Sequence, residues 1–291
     1  MADRLIVWAF RAAWNLLPRM PEHVAERIAR VAADLMWLRN GPGVRQLQRN
    51  LGRVLVTEPQ QLRDLTRVAV RKYADYWRTL FQLPGMSLDA ITSRVVFHNV
   101  ERVETALAAG NGVILASTHS GNWDIAGIGV ATHFGGVTTV AERLKPEALF
   151  QMFVAHRAPY GVEIFPHRGG ERSAFDMLKE RLRDGRLVAL VSDRDLSRRG
   201  IEVDFFDGRA RMAAGPAALA VETGATLIPC ATWVDGETVH VLAHEPLHVP
   251  DGIDDAVPYL TQRLADVYAR DIAAHPTDWH MLQPVWTSDL R

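Results

Sequence analysis

The run of apolar and polar positions divides the chain in two. Over residues 4–17 apolar side chains take nearly every position, and Arg4, Arg11 and Asn15 fall on one narrow stripe at the helical period. Pro18 and Pro21 end this helix and open a second that runs to about Arg39. Gly41-Pro42-Gly43 reads as a turn, after which helical spacing resumes over 44–57 and 59–83. The first ninety residues are therefore predicted to be all-helical.

The pattern changes near residue 95. Short apolar runs at 112–118, 137–141, 162–166, 187–192, 201–205, 226–233 and 238–243 are predicted as strands. Helices are predicted over 122–133, 146–158, 171–184, 213–223 and 256–274. Runs such as Gly-Val-Ile-Leu-Ala and Leu-Val-Ala-Leu-Val have no polar face, which points to a sheet covered on both sides. Strand–helix alternation argues for α/β architecture. No flexible linker separates the parts, so residues 1–291 are expected to form a single domain, with 1–90 as a helical N-terminal part packed on a core over 95–291.

Composition narrows the function. Across 291 residues the net charge is −1, which excludes a strongly basic coat for nucleic acid. The charge is uneven: residues 1–53 carry nine arginines against four acids. That excess would suit anionic phospholipid heads, or equally a solvated helical surface. The apolar helix over 4–17 likewise reads either as buried or as lying in a membrane interface, where Trp is favoured. Cys230 is the one cysteine, so no intrachain disulfide and no Cys-rich metal site can form. No stretch approaches the ~20 apolar residues of a membrane span. The apolar run over 5–17 has no small-residue cleavage site after it, so no secretory signal is expected.

Candidate chemistry gathers at strand ends, where ligands bind in open α/β sheets. The first candidate is the segment Ser117 to Asp124. His119 and Asp124 are four residues apart in intervening sequence, and a turn there would bring the carboxylate to one imidazole nitrogen. Asp124 would then fix the tautomer and leave the other nitrogen to take a proton. The plainer reading makes His119 a cap and Asp124 a first-turn acid of the following helix. Ser120 offers a rival nucleophile, but Thr118-His119-Ser120-Gly121 lacks the first Gly of a nucleophile elbow. Cys230, inside a predicted strand, reads as an apolar filler.

The second candidate is Ser192-Asp193-Arg194-Asp195. If its strand runs parallel to that of His119, this cluster lies on the same sheet edge, where it would orient the acceptor or support His119; otherwise it is a surface turn. The third is Glu142-Arg143-Leu144-Lys145, whose cations could meet phosphate, followed by Pro146-Glu147 as ordinary helix-start residues. Arg157 lies one helix further on. Gly169-Gly170 precedes a helix and reads as a turn or an anion site. There is no Gly-x-Gly-x-x-Gly, no Walker loop and no His-Glu-x-x-His helix.

Taken together, His119-Ser-Gly-Asn-Trp-Asp124, Val140-Ala-Glu-Arg-Leu-Lys-Pro-Glu147, Asp193-Arg-Asp-Leu196, Val203-Asp-Phe-Phe206, Met212-Ala-Ala-Gly-Pro-Ala217 and Asp278-Trp-His-Met-Leu-Gln-Pro-Val-Trp286 resemble the bacterial late-acting lipid A acyltransferases, the His-x4-Asp acyltransferases. The likeness is strongest to the branch of that family acting on phosphatidylinositol mannosides, and it covers nearly the whole chain in order. It implies a central mostly parallel sheet flanked by helices. It implies transfer of a long-chain acyl group, typically palmitoyl, from acyl-CoA to the 6-hydroxyl of the mannose on the inositol 2-position. It also implies peripheral attachment to the cytoplasmic face of the plasma membrane. Acyl-CoA would be a co-substrate, so neither a bound cofactor nor a metal is expected. The family's catalytic pair falls on His119 and Asp124, and Arg157 and Asp193 match positions that line its site; Glu142, Arg143 and Arg194 are expected to join them in binding substrate. The family pattern has Glu where this chain has Asp193, a carboxylate shorter by about a bond length. It also has Gly directly after the aromatic pair, where Asp207 here intervenes before Gly208 and is expected to lengthen the loop. In the expected mechanism Asp124 holds His119, and backbone N–H groups near Gly121–Asn122 stabilise the oxyanion. The alternatives are a family member with another glycolipid acceptor, a non-catalytic lipid-binding protein and, more remotely, a thioesterase.

Overall fold

The computed structural model of the chain describes residues 2–195 and 200–290, so Leu196 of the Asp193-Arg-Asp-Leu motif lies outside the described residues. Four helices come first: α1 (Ala2–Leu16), α2 (Glu22–Arg39), α3 (Pro42–Val54) and α4 (Pro59–Gln82). The short helix α5 (Leu88–Thr92) leads into β1 (Val95–His98) and α6 (Glu101–Ala108). Alternation then follows with β2 (Val113–Ser117), α7 (Trp123–Phe134), β3 (Val137–Ala141), α8 (Glu147–Arg157), β4 (Val162–Pro166), α9 (Ala174–Arg183) and β5 (Leu187–Val191). A hairpin of β6 (Ile201–Phe205) and β7 (Gly208–Met212) precedes α10 (Gly215–Thr223), β8 (Thr226–Asp235), β9 (Thr238–Ala243) and α11 (Ala256–Ala274).

Seven strands form one sheet in the order β1-β9-β8-β2-β5-β3-β4. Every pairing in it is parallel except β8 with β9. The mostly parallel sheet and the helical N-terminal part agree with expectation. Strand β2 shows why its sequence has no polar face. Val113 and Leu115 pack into the core on one side of the sheet, while Ile114 and Ala116 pack into the core on the other. The first core takes in α7 together with Trp14 of α1 and Tyr76 and Leu80 of α4. The second takes in α9, α10, α11, the hairpin and the C-terminal Trp279 and Trp286. A third cluster, centred on Leu47, Leu51, Ala69 and Val70, binds α3 to α4, with Ala33 of α2.

Two local readings are corrected. The strand over 201–205 does not join the main sheet. It pairs antiparallel with β7, a strand not foreseen, and its alternating exposed and buried positions fit a hairpin with one solvated face. The loop that carries Asp207 is short. Phe205 pairs with Gly208, so Phe206 and Asp207 make a two-residue turn, with Phe206 at φ 53°. The edge strand β1 was also not foreseen; its four residues are too few to show a period. As for α1, it is both buried and exposed. Phe10 and Trp14 pack edge-on against Phe81 and Phe153, while Leu5 and Trp8 are 67% and 68% exposed.

Candidate active site

The site is set by the register of β2 and β5. These strands are parallel, as the second candidate required, with Ser117 opposite Val191. The ladder runs one step further through the Ser192 N–H, which donates to the Ser117 carbonyl at 2.9 Å. The next residue on each strand is then His119 or Asp193. Their rings and carboxylates meet: His119 Nδ1 lies 2.5 Å from Asp193 Oδ1, and the His119 backbone N–H donates to Asp193 Oδ2 at 3.1 Å. Trp279 Nε1 donates to the same Oδ2 at 2.8 Å.

Asp193 is fully buried. Burial alone would raise its carboxyl, but the His119 charge and the hydrogen bonds from His119 and Trp279 outweigh it, so the group sits below the usual carboxylate range. A carboxylate on Nδ1 places the proton there and leaves Nε2 as the free acceptor. The His119 side chain stays about a quarter exposed, so that nitrogen can be approached. Trp123 meets the imidazole edge-on at 5.7 Å.

Asp124 is therefore not the partner expected for His119, because Nδ1 is already taken by Asp193. It sits in the first turn of α7, a helix capped by Asn122 Oδ1 accepting from the Ile125 N–H at 3.1 Å. From there it turns into the protein. It accepts from the Tyr76 hydroxyl at 2.7 Å and pairs with Arg157 Nε. Burial, then the Asp124 charge, push the Tyr76 phenol well above its ordinary 10, so it remains a donor. Asp124 thus joins α4, α7 and α8 just behind the turn that carries His119, and it accounts for Arg157.

The turn itself is clamped from the C-terminal side. The Gly121 N–H donates to the Asp278 carbonyl at 2.9 Å, and the His280 N–H donates to the His119 carbonyl at 2.8 Å. His280 Nε2 contacts the Gly121 carbonyl at 3.0 Å, which requires the proton on Nε2. Burial pushes His280 down to about 3, so it is neutral. Gly121 is at φ +62°, and an added Cβ would lie 2.9 Å from the Thr232 backbone carbon, so only glycine fits. The Gly121 N–H, expected to help hold an oxyanion, is committed to Asp278 instead. Asp278 is in turn fixed by Lys72 Nζ at 2.5 Å and the Val234 N–H at 3.0 Å.

The remaining expected residues divide. Glu142, just past β3, faces Arg194 at 3.8 Å. Both border a groove of about 600 Å³ across the ends of β3, β4 and β5, whose wall also includes Ser192, Leu190, Phe175 and Leu178. Arg143 is engaged by Glu147 at 2.6 Å and by the Gly169 carbonyl, so its charge is already met. Ser120 is buried and accepts from the Thr118 hydroxyl at 2.7 Å, and the Cys230 thiol is pushed by burial up to about 12; neither is a nucleophile. Tyr76, Lys72, Trp279 and His280 were not picked out for roles, although the last two lie within the C-terminal segment that carried the resemblance.

A buried carboxylate holding an imidazole with one free nitrogen is an arrangement that can act as a general base. The family model described as bacterial lipid A biosynthesis acyltransferase matches residues 1–288. The chain is 44% identical over 286 residues to the phosphatidylinositol mannoside acyltransferase of Mycolicibacterium smegmatis, covering 97% of this chain and 91% of that one. It is 44% and 43% identical, over 97% of its length and 89% of theirs, to proteins of the same name from two strains of Mycobacterium tuberculosis. The chain belongs to the bacterial lipid A biosynthesis acyltransferase family and is an acyltransferase.

Proposed function

We propose that this enzyme transfers a long-chain acyl group, such as palmitoyl, from acyl-CoA to a phosphatidylinositol mannoside, at the 6-hydroxyl of the mannose on the inositol 2-position. The observation that carries the chemistry is the His119–Asp193 pair at the C-terminal edge of the sheet. The acceptor rests on the relatives' names.

His119 Nε2 takes the proton of the sugar hydroxyl while its oxygen attacks the thioester carbonyl. Asp193 stabilises the imidazolium that forms. Collapse of the tetrahedral intermediate breaks the C–S bond, and the imidazolium returns its proton to the departing thiolate. The products are an ester and free CoA, with His119 neutral again. General-base assistance of this kind contributes typically ~10²–10⁴-fold. Glu142 and Arg194, which border the groove, would contact substrate, and Asp124 with Arg157 would keep the turn in position. No step calls for a metal or a resident cofactor.

No helix among the described residues is long and apolar enough to cross a membrane. The exposed Leu5, Trp8 and Leu16 on α1, with Arg4, Arg11 and Arg19 alongside, suit an interfacial helix resting on anionic lipid at the cytoplasmic face of the plasma membrane. There it would let an acceptor reach the site without leaving the bilayer.

The test is transfer from radiolabelled palmitoyl-CoA, with phosphatidylinositol mannoside present or absent, by the wild type and His119→Ala. Acceptor-dependent labelled glycolipid that vanishes in the variant supports the reading. Palmitate released regardless of acceptor points to a thioesterase, and labelling of a different glycolipid alone would replace the acceptor.

A further inference from the structure

We propose that Trp279 is a positioning residue for this reaction, which, by sharing the Asp193 carboxylate with His119, sets how firmly Asp193 holds the His119 proton. The proposal rests on the reading of His119 as the base.

Asp193 Oδ1 faces the imidazole, while Oδ2 receives both the His119 backbone N–H and the Trp279 indole N–H. A carboxylate that already accepts two N–H donors on one oxygen has less charge to offer the imidazolium on the other. The indole is fixed in place. Trp279 is fully buried, lies edge-on to Trp286 at 6.1 Å and to Phe205 at 6.2 Å, and its backbone bridges to Ser120 of the catalytic turn. Its neighbours in sequence hold the same turn, Asp278 through the Gly121 N–H and His280 through the His119 carbonyl. The indole cannot leave Asp193 without disturbing the turn that carries the base.

The ionisable groups around the pair come from every neighbouring element. They are His280 on the C-terminal segment, Tyr268 on α11, Asp124 with Arg157 and Tyr76 across the turn, Lys72 with Asp278 behind it, and Arg194 and Asp195 beside Asp193. His280 is neutral and Tyr268 stays protonated across the working range, so neither produces an ionisation near pH 6–8 that would imitate the effect.

Losing the indole N–H leaves Asp193 a stronger partner for the imidazolium, so His119 should gain its proton at higher pH. The acid limb of the kcat/KM profile should move up by about one pH unit, the size expected if roughly half of a charged hydrogen bond is felt at the ring. Two variants test this: Trp279→Phe, and replacement of Trp279 by 3-benzothienylalanine, which keeps the shape and lacks the N–H. The second keeps the test decisive if Phe leaves a destabilising void. The His119 ring is also titrated by NMR, its signal assigned by its loss in His119→Ala, and this readout needs no activity. An upward shift in both variants, or in the benzothienyl protein alone, supports the proposal. An unshifted His119 titration in folded benzothienyl protein overturns it, whether or not transfer activity is found. Wild-type protein without acyl transfer but with the shift would instead overturn the proposed function and leave the Trp279–Asp193–His119 coupling standing.

Discussion

His119 and Asp193 meet because each stands two residues beyond a pair of facing strand residues, Ser117 and Val191, on adjacent parallel strands. Their contact is thus a continuation of the β-ladder. Its geometry is fixed by sheet register and not by a flexible loop.

Replacing Asp193 by Asn tests the charge in that contact. The amide has nearly the same shape and can keep an oxygen facing Trp279, so the fold should survive. It cannot stabilise the imidazolium, and it can favour the wrong tautomer. Transfer should fall by about 10³–10⁴-fold, as is typical for loss of the orienting carboxylate. Circular dichroism should be unchanged. A loss under tenfold in folded protein would remove Asp193 from the mechanism.

Asp124→Asn should behave differently. It leaves the Arg157 charge buried without its partner, and breaking such a pair costs about 3–5 kcal/mol when burial is deep. Arg157 keeps some solvent contact, so about 2–3 kcal/mol is expected, read as a lower melting temperature. Activity should drop with no movement of the acid limb of the pH profile, because His119 keeps Asp193. A shifted limb would show that Asp124 acts on His119 electrically.

His280 predicts an acid sensitivity. Burial lowers it from an ordinary 6.5 to about 3, so between those values the unfolded chain binds a proton that the folded chain does not. Stability therefore rises with pH through this window and is lost as pH falls below 6.5, by about 1.4 kcal/mol per pH unit from this residue. His280→Gln keeps an N–H for the Gly121 carbonyl and cannot titrate. Urea unfolding at pH 4.5 to 6.5 should show a shallower dependence in the variant, by about one proton. Equal slopes would show that His280 is not buried neutral.

The outer face of α1 predicts lipid binding. Deleting the helix would also remove Trp14 and Phe10 from the core, so surface substitutions are the cleaner probe. Leu5→Ser with Trp8→Ser should weaken sedimentation with vesicles containing anionic phospholipid by roughly tenfold or more, since each buried side chain is worth ~1.5–3 kcal/mol. The melting temperature should hold. Unchanged sedimentation would assign that face to something other than a bilayer.

Much of this was legible in the sequence, for physical reasons. β3, β4 and β9 were bounded to the residue because apolar runs between turn residues mark buried strands clearly. Asp193 was recognised as a candidate support for His119 on the condition that two strands run parallel, and they do. The error over Asp124 has a physical source as well. Four intervening residues suggest a local turn, but the chain enters α7 at Trp123 and carries the carboxylate round to Tyr76 and Arg157. Contacts such as Lys72 to Asp278 span 206 positions, and no local pattern encodes them. The hairpin strand β7 was hidden because Gly-Arg-Ala-Arg-Met is too polar on its outer face to read as a buried strand.

The C-terminal segment from Asp278 onward closes against α3, α4, the hairpin and the His119 turn, and Asn50 of α3 holds the carbonyls of Met281 and Gln283. On the ribosome that segment is made after everything it braces. The sheet and the His119–Asp193 pair can assemble earlier, but His119 is not locked in place until translation has passed His280 and those residues have left the exit tunnel. Chains that stall before that point would carry an acyltransferase fold whose His119 turn is still loose. The firm placement of His119 therefore follows synthesis of that segment and cannot precede it.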